Sequence, residues 1–194
     1  MTASPPRWSP VVVALHWINA ALILELLAHG WIMTHAVFGA AATFDLYQLH
    51  KSLGFSALLL TALRLAARLC FAAPAAVYTA PWERRLAVFA QASLYLLTLA
   101  AIVAGWFVVS ASPLPIPTLF FNLFVVPNIA QPDAATFALA AVAHRLAAYA
   151  IAALVTLHVA GSLKHHWIDR DDVLTRMLPR LPRRARPRPS TGRP

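Results

Sequence analysis

The chain has 194 residues, 60% of them hydrophobic and 12% charged, with a mean hydropathy of +0.65. A water-soluble domain carries about twice that charged share, so a soluble globule is excluded and a membrane protein is indicated. Sixteen Lys and Arg against seven Asp and Glu give a formal charge of +9, and the single cysteine, Cys70, excludes an internal disulfide, a CxxC zinc site and a CxxCH haem attachment.

Four apolar stretches, 10–34, 46–70, 86–110 and 136–163, each exceed the ~20 residues that cross a bilayer core. They predict an all-α membrane protein, a four-transmembrane-helix bundle occupying residues 1–178. The first runs from Val11 to Met33 and contains His16 and Glu25, so it reads as a retained span and not a secretory leader, whose apolar region is about 7–15 residues. A turn near 35–45, holding His35, leads to the second. Pro74 and Pro81 break the connection to the third. Pro113, Pro115, Pro117, Pro127 and Pro132 break the connection to the fourth. Inside that loop Thr118 to Val126 (TLFFNLFVV) is apolar but too short to span, and is expected to lie in the interface or cap the bundle. The segment 179–194 (PRLPRRARPRPSTGRP) cannot bury a core and is expected to be disordered.

The cations flank particular ends of these spans. Arg7 precedes the first; Arg64, Arg68, Arg84 and Arg85 surround the second connection; Lys164, Arg170, Arg176, Arg180, Arg183, Arg184, Arg186, Arg188 and Arg193 follow the fourth. The first and third connections hold Asp45 and Asp133 and no Lys or Arg. Under the positive-inside rule both termini are expected to be cytoplasmic, in a bacterial inner membrane. The basic excess is thus a topology signal with attraction to anionic lipid as an accessory, and no nucleic-acid partner is expected. Two cations stand against the trend, Lys51 and Arg145, each directly after a histidine.

That topology assigns depths to the histidines. His16 and His158 lie near the cytoplasmic side, His50 and His144 near the opposite side. The fourteen residues from His144 to His158 amount to about 21 Å and nearly four turns, so both project from one helix face. Two imidazoles at one depth in a bundle core suit bis-axial ligation of a haem iron, and two such pairs suit two stacked b-type haems. A closed zinc site would need four ligands together. The alternative is that each histidine simply hydrogen-bonds a neighbouring helix.

Lys51 and Arg145 would then neutralise haem propionates or attract a small outer-face anion, or else snorkel to the interface. Arg64 and Arg68 could serve the inner haem, although topology already accounts for them. Glu25 and His29 are spaced to meet one helical turn apart, as a proton route or as a neutral Glu25 bonded to His29 or Asn19. His165 and His166 read as solvated or headgroup-facing, and Cys70 as a packed or interfacial thiol.

The segments RWSPVVVALHW, LHKSLG with RLAARL, AHRLAAYAIAALVTLH and KHHWIDRDDVLTRMLP resemble the bacterial cytochrome b561 family, di-haem membrane cytochromes that include superoxide oxidase. The resemblance extends to about Arg180. It implies haem b held by His16/His158 and His50/His144, transmembrane electron transfer, and in the superoxide-oxidising members delivery of electrons from outer-face superoxide to ubiquinone. Two positions depart from the pattern: Glu25, and Gln91, which stands about where some members carry histidines. Two rival readings are open. One is a cytochrome b subunit that links a dehydrogenase or hydrogenase, as redox partner, to quinone. The other is a haem-free small transporter or structural membrane protein.

Overall fold

The computed structural model describes residues 7–75, 80–114 and 116–179. It contains four long helices, α1 (Pro10–His35), α2 (Ala40–Cys70), α3 (Pro81–Ser110) and α4 (Ala134–Lys164), and each is long and apolar enough to cross a membrane. The expected four-span architecture therefore holds. Of the terminal segment expected to be disordered, all but Pro179 lies outside the described residues.

Local chemistry explains the ends. Pro10 and Pro81 occupy the first turns of α1 and α3, where a missing N–H costs nothing. Asp133 caps α4, its carboxylate accepting from the Thr136 N–H at 2.7 Å. That bond holds the Asp133 carboxyl below its ordinary range.

Two expectations need correction. α2 begins at Ala40 and not near 46, so the turn after α1 shrinks to residues 36–39 and Asp45 is helical. Ala40, Ala41 and Ala42 are strong helix formers, and nothing in the sequence stops the helix before Gly39. His35 ends α1, its ring stacked on Trp31 at 3.8 Å.

The segment Thr118 to Val126 is a β-hairpin. β1 (Thr118–Phe120) pairs antiparallel with β2 (Phe124–Val126), Thr118 opposite Val126 and Phe120 opposite Phe124. Its turn places Phe121 at φ 47° and Asn122 at φ 59°. Asn tolerates the left-handed region, but Phe is strained there. The Phe121 N–H is held by Ser52 Oγ at 2.9 Å, which offsets part of that strain.

The molecule is inside out by the standard of a soluble protein. Leu59, Leu96 and Leu157 are 62%, 68% and 67% exposed, while Asn19, Ser52, Thr61, Thr98 and Gln48 are buried. Lipid accepts the leucines at no cost, whereas polar side chains must find partners within the bundle. Asn19 Nδ2 accordingly donates to Thr61 Oγ1 at 3.3 Å, tying α1 to α2.

The helices pack as two pairs, α1 along α2 and α3 along α4, with only sparse helix contacts from one pair to the other. At one end of the seam the hairpin is clamped to α2. Gln48 donates to the Pro117 carbonyl at 2.8 Å and accepts from the Leu119 N–H at 3.1 Å. At the other end the Trp17 indole donates to the Met177 carbonyl at 2.6 Å, and Arg176 to the Ala75 carbonyl at 2.7 Å. Between these ends the two pairs meet along a sparsely packed seam.

Candidate functional site

The four histidines singled out by spacing face one another in two pairs across that seam. His16 comes from α1, His50 from α2, and His144 and His158 from α4, so each pair takes one imidazole from each half of the bundle. The His16 and His158 ring centroids are 6.4 Å apart, with planes at 60°; those of His50 and His144 are 6.1 Å apart, with planes at 86°.

These separations can be tested against ligation. Two imidazoles bound through nitrogen to opposite sides of one metal, at about 2.0–2.1 Å, place their centroids roughly 6.3 Å apart. Neither pair is hydrogen-bonded ring to ring, and both separations match that spacing although they also fall in the range of edge-to-face ring contacts. Both pairs could therefore hold a planar iron macrocycle between them.

The ring of His144 is fixed from behind. Its Nδ1 donates to the Ala101 carbonyl at 2.8 Å, which leaves Nε2 with the lone pair a metal requires. Gly105, one turn along α3 from Ala101, makes room for it: a Cβ there would stand 3.1 Å from His144 Nδ1. Gly30 sits similarly, though less tightly, against His50, with 3.6 Å from a Cβ to Cε1. The Nδ1 atoms of His16 and His50 are buried without a hydrogen-bond partner among the described residues.

The remaining candidates fall around the two pairs. Lys51 reaches the Pro117 carbonyl at 3.4 Å, beside the hairpin, and Arg145 is exposed on α4. His29 is buried, 5.7 Å from the His50 ring, with Nε2 on the Leu46 carbonyl at 3.1 Å and Nδ1 3.5 Å from Glu25. The spacing of Glu25 and His29 does bring them together. Asn19 is instead committed to Thr61. Gln91 accepts from Arg68 at 3.3 Å, and Arg68 also lies over the Trp8 ring at 4.4 Å. Arg64 lies over the Tyr95 ring at 5.1 Å.

His165 differs from the solvated reading. The end of α4 widens into a π-helical turn, His165–Asp169, closed by Arg170 at φ 56°. That turn sets His165 Nδ1 at 2.7 Å from Asp171 and 3.0 Å from Asp169. Lys164 bridges Glu83 and Asp169 at 2.8 Å each. Glu83, His165 and Asp169 converge closely enough to hold a metal ion, but the Lys164 ammonium already supplies the cation. Spacing could not reveal this cluster, because Glu83 arrives from α3.

Comparison with known proteins agrees with this architecture. The family model described as prokaryotic cytochrome b561 matches residues 7–180. Cytochrome b561 homolog 2 of Escherichia coli (strain K12) is 30% identical over 179 residues, covering 91% of this chain and 94% of that protein. Cytochrome b561 homolog 1 of the same organism is 27% identical over 181 residues, covering 90% and 98%. With paired histidines across the seam, four helices able to cross a membrane and a match over nearly the whole chain, this protein belongs to the prokaryotic cytochrome b561 family, multi-pass membrane electron-transfer proteins that use b-type haem.

Proposed function

We propose that the chain holds two b-type haems, one between His16 and His158 and one between His50 and His144, and passes electrons across the membrane from an outer-face donor to ubiquinone. The single observation that carries this is the pair of centroid separations, 6.4 and 6.1 Å, each spanning the seam between the two helical pairs. Haem bound there supplies reversible one-electron chemistry.

The protein residues do the rest. His144 is held in one tautomer by Ala101, so its ligating nitrogen is ready before any metal arrives. His144 and His158, about 21 Å apart along α4, give two redox sites at two depths. With both termini cytoplasmic, as the positive-inside rule directs, the hairpin end faces outward. Lys51 and Arg145 are then the only lysine and arginine near that face, and they would steer an anionic donor. Superoxide, oxidised to O2, fits that charge.

The test is a reduced-minus-oxidised visible spectrum of the purified chain with haem counted per polypeptide. Two haems, with one lost in His144→Ala and also in His158→Ala, is the expected result. A chain without haem bands would overturn the reading. Superoxide mixed rapidly with the oxidised protein should reduce the haem, and failure to do so would leave electron transfer but remove superoxide as donor.

A further inference from the structure

Two polar groups beside the His16/His158 pair stand without partners. Arg64 Nε on α2 and the Tyr95 hydroxyl on α3 are both buried, and neither has a hydrogen bond among the described residues. Buried polar groups are nearly always satisfied, so two orphans side by side need an explanation. Both Arg64 and Arg68, one turn further along, lie over an aromatic ring, Tyr95 and Trp8 respectively, but only Arg68 has an acceptor, Gln91. Arg64 takes part in none of the ion pairs found among the described residues.

The chemistry of these groups identifies the missing partner. A guanidinium has donors and no acceptor, and the phenol next to it can also donate. Their common partner is an oxygen acceptor. It must also carry charge, because an unpaired cation at membrane depth is costly and a neutral carbonyl would satisfy the hydrogen bonds while leaving the charge uncompensated. A carboxylate meets both needs, and planar guanidinium binds it in matching geometry.

We propose that Arg64 and Tyr95 form a carboxylate site across the seam between α2 and α3, and that its occupant is a propionate of the haem held by His16 and His158. This rests on the haem assignment above. Asn19 is bonded to Thr61, and His16 and Arg64 each lie three residues beyond that bond toward the same end of the antiparallel α1–α2 pair, which puts Arg64 at the depth of His16. Arg64 and Tyr95 are positioning residues: they fix the rotation of the macrocycle about the axis joining the two imidazoles, which ligation leaves free.

The experiment is a redox titration of the full chain with haem counted, together with oxidised-minus-reduced infrared spectra in the carboxylate region. Arg64→Gln should lower one midpoint potential and leave the other in place, because the lost cation favoured the reduced form. A tenfold change in the ratio of reduced to oxidised haem, about 59 mV for one electron, is the expected scale. Arg64→Lys should restore most of that shift. Tyr95→Phe keeps the cation and should move a carboxylate band, so it decides the matter even if Arg64→Gln does not accumulate.

Two haems with unmoved potentials and unmoved carboxylate bands in these variants would overturn the proposal. Slower quinone reduction with unchanged carboxylate bands would also overturn it, by making the occupant a quinone carbonyl. Absence of haem from the unsubstituted chain is a separate failure, that of the function proposed above.

Discussion

Gly105→Ala is the sharpest test of how the His144 ring is held, because two restraints on one imidazole come from the same helix. A Cβ at Gly105 would lie 3.1 Å from His144 Nδ1 and 3.2 Å from Cε1, where ordinary contact starts at 3.4 Å, so the ring must yield by at least about 0.3 Å. The ring cannot yield freely, since its Nδ1 is bonded to the Ala101 carbonyl at 2.8 Å. Loss of that bond costs about 0.5–1.5 kcal/mol and overpacking about 1–3 kcal/mol, against a gain of about 0.5–1 kcal/mol from removing a helical glycine. A net loss of about 1–3 kcal/mol follows.

The effect on the site should be larger than the effect on folding, because disturbing the group that orients a metal-bound histidine typically costs about 10–100-fold in metal affinity. The assay is haem retained per chain across a dilution series, with the visible spectrum of what remains. Gly54→Ala is the control, since a Cβ there meets nothing within 4 Å. Gly105→Ala should lose haem while Gly54→Ala retains it. Equal retention in the two variants would refute the account of the His144 ring.

Other perturbations probe the surroundings. Gln48→Leu removes two bonds to the hairpin and strands the Leu119 N–H, a cost of about 1–3 kcal/mol; amide exchange at Leu119 and Phe121 should speed up while the spans keep their protection. Asp133 titrates below its ordinary range because the Thr136 N–H binds its ionised form. A depressed folded value means its contribution is present above the unfolded pKa of about 3.8 and is lost as pH falls through the folded value, so Thr136 exchange should accelerate at acid pH. In Asp133→Asn that acceleration should be absent. Lys51→Gln with Arg145→Gln should slow the reaction with superoxide and flatten its salt dependence, and an unchanged rate would remove both from steering.

The spans were legible because the bilayer imposes one rule on sequence, about 20 consecutive apolar residues per crossing, and the chain obeys it four times. The candidate ligands were legible for a related reason. Four histidines inside apolar helices are costly enough to stand out, and the fourteen residues between His144 and His158 keep them on one face. The apolar run by itself places the start of α2 beyond Asp45, whereas the helix-forming Ala40 to Ala42 carry the helix back to Gly39.

What sequence could not supply is which surfaces meet. Lipid is as apolar as the protein interior, so the hydrophobic pattern of a span does not say which face touches another helix. The division into two helical pairs, and hence the seam that the histidine pairs span, emerges only from packing. The hairpin was hidden because its turn uses Phe121 where a glycine would have announced it, and the compensating contact comes from Ser52, far away in the chain. Sequence reads Arg64 as a topology charge that could also serve the inner haem. Only the tertiary structure sets it beside Tyr95, its Nε buried and short of a hydrogen bond, because α2 and α3 contribute one donor each to a site that neither helix contains alone.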